Sequence, residues 1–254
     1  MGILAAASLI SGSQKELQAE GNWTQLEQFL RKAEVISVKI NEDAGRTAPW
    51  DVTLDDGIIR RKARFKKIDR SRPDILPDSY HYEIAAYELS KYLDLPIIPP
   101  IVEREIDGVR GALQLFLEEY IPLNRQMRTG CKPPDPQKLA DALDEITVFE
   151  NVTYCVREET DILIHEKDGK VCRVDFSEAF TPDGALLPES EINRCSARLY
   201  KKLTRINPED LHFRLKPHLN DEEIKALLER IGLIIRLLDE RIREKGEEKV
   251  LFEI

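Results

Sequence analysis

The feature that most constrains the fold is a change of pattern near residue 120. Before it, apolar and polar residues alternate in short runs that end at turn pairs such as Asp56-Gly57 and Asp107-Gly108. Such runs indicate β-strands, and an Asp-Gly pair between two of them indicates a hairpin. After residue 135 apolar residues recur every three or four positions, which is typical of helices. The pattern predicts an α+β protein with its sheet first and its helices second.

The first 120 residues predict an antiparallel five-stranded sheet with one inserted helix. A helix with Asn22 as N-cap comes first, and residues 80–92 give the inserted amphipathic helix. Residues 69–77 contain prolines and predict a loop. The strands are expected at residues 34–40, 50–54, 58–68, 101–106 and 109–117.

The rest of the chain is expected to be mainly helical around one hairpin. Residues 124–136 are polar and rich in Gly and Pro, and predict a linker or flexible loop. A long helix then ends near Tyr154, and residues 162–180 form a hairpin that turns at Asp168-Gly169. Further helices are expected at residues 189–203, at residues 208–215, and from the N-cap Asn220, with Glu223 as its capping-box partner, to Gly246.

Composition narrows the class of protein. The 254 residues carry a net charge of −9, which argues against a general nucleic-acid binder. The basic run at residues 60–67 is interpreted as a strand with one exposed face. The four cysteines and four histidines lack the spacing of a metal site, and the cysteines are expected to be mostly buried thiols.

Three segments are expected: residues 1–21 as a flexible tail or signal-like segment, 22–120 as an N-terminal lobe and 121–254 as a helical C-terminal lobe. The first twelve residues are small and apolar but lack a basic start, so a tail is favoured over a signal peptide. No run approaches the length of a membrane span. A cytoplasmic location is favoured, and a secreted or periplasmic one stays open if the start is the remnant of a signal.

Four charged residues occur along the chain in the order, and on the predicted strands and helices, that a site for phosphoryl transfer would use. Asp161 precedes the first strand of the 162–180 hairpin and Asp175 ends the second, so both carboxylates could reach one Mg²⁺. Lys66 lies on the third strand, where its ammonium suits the phosphates of a nucleotide, and Glu83 on the next helix could pair with it.

Five stretches of the chain carry a resemblance to known proteins, namely residues 65–69, 81–89, 99–104, 111–115 and 174–180. They resemble an uncharacterised group of bacterial kinase-like proteins. That group is similar to the HipA-type toxin kinases, the phosphatidylinositol kinases and the secretory-pathway Golgi kinases, all atypical kinases. The resemblance spans roughly residues 25–252.

The resemblance implies a bilobal protein-kinase-like fold that binds ATP with Mg²⁺ or Mn²⁺. Lys66 would then hold the phosphates with Glu83 as its partner, and Asp175 and Asp161 of the hairpin would hold the metal ion. Gly45, in the thin phosphate-covering loop, and Glu118 complete the nucleotide-binding candidates, together with Lys66.

The catalytic loop departs from the kinase pattern. Asp161 stands at the position of the metal-binding Asn, but the residue five positions earlier, where a general base is expected, is Val156. Glu158 and Glu159 are the nearest carboxylates. Either the loop is shortened and one of them substitutes, with Glu158 as the candidate, or the loop has no base. The phosphate-covering loop contains one glycine, Gly45, so few backbone N–H groups can approach a phosphate.

Three hypotheses follow. The first is a divergent ATP-dependent kinase whose phosphate acceptor is an unknown protein or small molecule. The second is a pseudokinase that serves as a nucleotide-binding or regulatory module. The third is a non-kinase α+β protein in which these residues are surface charges. No Walker A, G-x-G-x-x-G, G-x-S-x-G or H-E-x-x-H motif points to another enzyme class.

Overall fold

A computed structural model describes residues 23–41, 48–72, 75–130, 132–188 and 191–253. The predicted tail, the N-cap Asn22, the loop glycine Gly45 and Cys131 lie outside these residues. Within them the chain forms eight helices. These are α1 Trp23–Lys32, α2 Tyr80–Tyr92, α3 Leu123–Arg128, α4 Pro136–Thr153, α5 Ala197–Leu203, α6 Pro208–Leu215, α7 Asp221–Lys245 and α8 Glu247–Val250.

The strands of the described residues are grouped in four sheets, the largest with five strands. None of the described helices is long and apolar enough to cross a membrane. The strands are β1 Glu34–Ile40, β2 Trp50–Asp55, β3 Arg60–Lys66, β4 Asp69–Arg72, β5 Ile75–Ser79, β6 Ile101–Ile106, β7 Val109–Leu115, β8 Tyr120–Pro122, β9 Ile162–His165, β10 Val171–Arg173, β11 Cys195–Ser196 and β12 Leu251–Phe252.

The predicted five-stranded antiparallel sheet is confirmed, with strand order β1-β2-β3-β7-β6. In β2 every second residue is buried, namely Trp50, Val52 and Leu54, as expected of a sheet with one face on a core. Helix α1 packs on β6 and β7. The guanidinium of Arg104 fixes its end by donating to the carbonyl oxygens of Leu30 and Ala33, each at 2.7 Å.

The contacts divide the chain into two compact units. The sheet unit comprises Met1–Ile68 and Pro99–Leu117, and the helical unit comprises Asp69–Ile98 and Glu118–Ile254. Helix α2 therefore belongs to the helical unit, although the sequence pattern assigned it to the same segment as the sheet.

The hairpin of residues 162–180 is present in the helical unit. Strands β9 and β10 pair antiparallel, with Arg173 opposite Ile162, and Gly169 supplies the left-handed turn at φ 71°. Strand β8 pairs with the other edge of β9 and makes a three-stranded sheet that the sequence pattern did not reveal.

Two predicted irregular segments contain regular structure. Within residues 69–77, predicted as a loop, residues 69–72 and 75–77 lie in the paired strands β4 and β5, and the hydroxyl of Ser79 at the end of β5 donates to Asp69 at 2.8 Å. Residues 124–136, predicted as a linker, contain most of α3, whose inner face buries Leu123 and the polar Gln126. A polar residue on the buried face conceals the helical pattern.

The predicted helix at residues 189–203 is shorter than expected. Strand β11 pairs in parallel with β12 near the end of the described chain, and α5 begins only after the N-cap Ser196. The long helices agree with the sequence. Tyr154 caps α4 in the left-handed conformation at φ 53°, and Asn220 opens α7 with a complete capping box.

Candidate functional site

The hairpin brings Asp161 and Asp175 to the same end of its two strands. Asp161 directly precedes β9, and Asp175 follows β10 by two residues. The backbone N–H of Val174 donates to the carbonyl oxygen of Asp161 at 2.9 Å, so the segments that carry the two carboxylates are hydrogen-bonded to each other.

The backbone at Asp175 is left-handed, with φ 70°. Asp tolerates this conformation better than most residues, and non-Gly residues in it are often found at functional sites. The next residue, Phe176, is fully buried and packs edge-on against Phe149 with ring centroids 5.6 Å apart. The hydroxyl of Ser177 donates to Oδ1 of Asp175 at 3.3 Å. Burial of the Phe176 ring thus anchors the turn that carries Asp175.

Arg173 is the centre of the site and is completely buried, with 0% exposure. Its Nε donates to Glu150 at 2.7 Å, and its Nη1 lies 3.2 Å from Asp161. Nη1 also donates to the carbonyl oxygens of Val174 and of Asp175, the latter at 3.0 Å. One guanidinium therefore links helix α4, the residue before β9 and the turn at Asp175.

The charge of Arg173 is balanced by its surroundings. Burial works to lower the pKa of Arg173, but the carboxylates of Glu150 and Asp161 hold that pKa above its usual range. The pKa of Asp161 is raised above its usual value by burial. The positive charge of Arg173 and the hydrogen bond from the Glu158 backbone lower this pKa, but burial has the larger effect. The cluster is a buried ion-pair network, which is costly to assemble and more costly to break.

The loop before Asp161 has no acid at the position of the kinase base. Val156 stands there with 70% of its surface exposed. Glu158 is exposed, and its backbone N–H donates to Oδ2 of Asp161 at 2.8 Å. Glu159 forms an exposed ion pair with Arg128 of α3 at 2.8 Å. The catalytic role predicted for Glu158 stays a prediction.

Cys155 and Glu83 lie in the same buried neighbourhood. Burial raises the pKa of the Cys155 thiol to about 12, opposed by Arg173 and reinforced by Glu150, Glu83 and Asp175. A neutral thiol is therefore expected there. Cys155, Cys172 and Cys195 are all buried and none of these three forms a disulfide, which confirms the interpretation of these three as buried thiols.

The remaining candidates are spread over both units. Lys66 is the last residue of β3, lies opposite Ala112 of β7, and is partly exposed. Glu118 is exposed in the turn between β7 and β8. Because Lys66 belongs to the sheet unit and Glu83 to the helical unit, their pairing stays a prediction, as do the nucleotide-binding roles.

The sequence analysis missed Arg173 and Glu150. One signal was available: each is a charged residue inside a mostly apolar pattern, Val-Cys-Arg-Val for Arg173 and Val-Phe-Glu-Asn-Val for Glu150. A charge at a buried position requires a partner, so each pattern indicates a buried charge that needs an opposite one, although neither pattern indicates that the two residues pair with each other.

Of the two acidic candidates for a metal ion, Asp175 suits a Mg²⁺ ion of the kind found at kinase sites, and Asp161 suits it less well. The described residues contain no group of three or more His, Cys, Asp or Glu side chains placed to hold a metal ion. Mg²⁺ at phosphate-handling sites is usually held by one or two carboxylates plus the phosphates of the substrate. Asp175, a hard oxygen ligand at a strand end, fits that requirement. The carboxylate of Asp161 is already engaged by a guanidinium and a backbone N–H.

Comparisons with known proteins give fold neighbours but no family. No family model and no curated protein sequence matches the chain. The structure of Fam20 from hydra, solved with a sugar, superimposes with a TM-score of 0.69 at 18% identity, covering 91% of this chain and 92% of the other. The Helicobacter pylori proinflammatory kinase CtkA superimposes with a TM-score of 0.52 at 10% identity, covering 85% and 98%. The chain therefore has an atypical kinase-like fold.

Proposed function

We propose that the chain is a divergent ATP-dependent phosphotransferase that binds Mg²⁺·ATP, with Asp175 as the metal ligand and Lys66 on the phosphates. The observation that carries the proposal is the turn at Asp175, where a left-handed backbone places a carboxylate at the strand end in a kinase-like fold. The ordered set Lys66, Glu83, Asp161 and Asp175 supports it from the sequence.

The roles follow from what phosphoryl transfer requires. A divalent ion at Asp175 would neutralise charge on the phosphates, and the ammonium of Lys66 would add a second positive charge. Catalysis of this kind depends mainly on positioning and electrostatics, so it does not require a strong general base. The acceptor is proposed to be a protein or small molecule. Sugars are a reasonable first choice because hydra Fam20 was solved with one.

The second candidate is a pseudokinase, and Val156 favours it. A valine cannot accept a proton from an acceptor hydroxyl, and its side chain is mostly exposed at the position of the base. General base catalysis contributes about 10²–10⁴-fold to rate, so its loss alone could reduce turnover below detection.

Transfer of labelled γ-phosphate from ATP, to the chain itself or to sugar and protein acceptors, distinguishes the two candidates. The proposed enzyme transfers label in the wild type and not in Asp175→Asn. A pseudokinase binds Mg²⁺·ATP and transfers none.

The variant Val156→Asp sharpens the test, with Val156→Asn as its matched control. Because the site is exposed, the new carboxylate need not be desolvated, and both variants are expected to fold like the wild type. For an enzyme that lacks only its base, Val156→Asp should raise the rate by about 10²-fold or more while Val156→Asn leaves it unchanged. Equal rates in all three proteins would show that position 156 does not take part.

A further inference from the structure

The acidic residue at the second metal-ligand position, Asp161, is already paired with an internal cation. We propose that Arg173 takes the place of a metal ion on Asp161, so that the site binds a single divalent ion on Asp175. The inference rests on the proposed function, because it describes how the same site would load its metal.

The ion-pair cluster consists of four charged side chains, and together they carry no net charge: Glu150, Arg157, Asp161 and Arg173. Glu150 accepts from two guanidinium groups, with 2.6 Å to Nη2 of Arg157 and 2.7 Å to Nε of Arg173. Asp161 lies 3.2 Å from Nη1 of Arg173 and accepts the Glu158 backbone N–H at 2.8 Å. Two positive and two negative side chains leave no net negative charge to attract a dication.

Arg173 is unable to move aside in the way that a surface arginine could. Its side chain has 0% exposure, and the same Nη1 donates to main-chain oxygens of Val174 and Asp175. Its guanidinium also lies over the ring of Phe176, 4.8 Å from the centroid. To release Asp161 the protein would have to leave several buried hydrogen bonds unsatisfied, which is strongly unfavourable.

The contact of Arg173 with Asp175 is of a different kind. Nη1 donates to the main-chain oxygen of Asp175 at 3.0 Å, whereas the carboxylate of Asp175 accepts a hydrogen bond from the Ser177 hydroxyl at 3.3 Å. Arg173 is thus a positioning residue that fixes the backbone of the metal ligand and neutralises Asp161.

The test is the number of Mn²⁺ ions bound per chain in the presence of a non-hydrolysable ATP analogue, measured by electron paramagnetic resonance of the unbound ion. The wild type is expected to bind one ion. Asp175→Asn should weaken that binding by about 100-fold, in line with loss of a ligand, while Asp161→Asn stays within about tenfold of the wild type.

Each other result is decisive. Two ions in the wild type, or equal weakening by the two variants, would overturn the inference while leaving the proposed function intact. No Mn²⁺ bound with the analogue present would reject the proposed function itself, and the inference with it. If Asp161→Asn fails to fold, as judged by circular dichroism, the count of ions in the wild type still decides the question.

Discussion

Replacing Arg173 by methionine removes the charge at the centre of the site while keeping much of the side-chain volume. Glu150 then keeps a single guanidinium partner, and Asp161 loses its ion pair inside the fold. Removing one partner of a buried ion pair costs about 3–5 kcal/mol. For a chain of this size 1 kcal/mol shifts the melting temperature by roughly 2–4 °C, so Arg173→Met should lower it by about 6–20 °C.

Thermal unfolding followed by circular dichroism measures this shift, and Arg157→Met is the matched control. Arg157 binds the same carboxylate of Glu150, but its side chain is 32% exposed. Water can replace it, so the control should lose only about 1 kcal/mol. If Arg173→Met melts within the range of this control, the network of buried charges does not hold the site together, and the reasoning fails.

Three further predictions concern packing, capping and pH. Gly111→Ala should destabilise the sheet unit, because a Cβ there would clash with the carbonyl oxygen of Lys66 and with the ring of Phe65. An unchanged melting temperature would contradict this close approach. Urea denaturation should show that Asn220→Ala lowers the free energy of unfolding by about 1 kcal/mol, because the cap of α7 is lost, and that Asn220→Gly lowers it by only a few tenths of that. Equal losses in the two variants would contradict a capping role. Burial raises the pKa of Glu145, so the folded state keeps its proton to a higher pH than the unfolded state, and stability falls as pH rises from 4.5 through the raised value. The melting temperature of Glu145→Gln should therefore rise relative to that of the wild type as the pH increases above 4.5, and a difference that does not change with pH would refute this.

Local signals explain what the sequence could predict. The Asp168-Gly169 turn fixed the hairpin because it forces a left-handed residue between two short strands, and the structure has Gly169 at φ 71°. The capping box of Asn220 and Glu223 likewise defined the start of α7, since both of its hydrogen bonds join residues three apart.

Non-local contacts explain what it could not predict. Strands β4 and β11 are built from polar or short segments that become strands only because a partner lies beside them. Glu150 and Arg173 are 23 residues apart, and their ion pair depends on the packing of α4 against β10. Asp161 and Asp175 were predicted from the sequence, but the buried acid Glu150 and the cation Arg173 that pairs with it were not.

The central claim is that Asp175 holds the metal ion of a bound nucleotide, and stabilisation by Mg²⁺·ATP tests it most directly. At a ligand concentration of 100 times the dissociation constant, binding to the folded state adds about 2.7 kcal/mol. That corresponds to a rise of roughly 5–11 °C in the melting temperature. The wild type is expected to show this rise with Mg²⁺·ATP and a much smaller one with ATP and a chelator, and the melting temperature of Asp175→Asn is expected to rise by no more than about 2 °C with Mg²⁺·ATP. An equal rise in the wild type and in Asp175→Asn would contradict it.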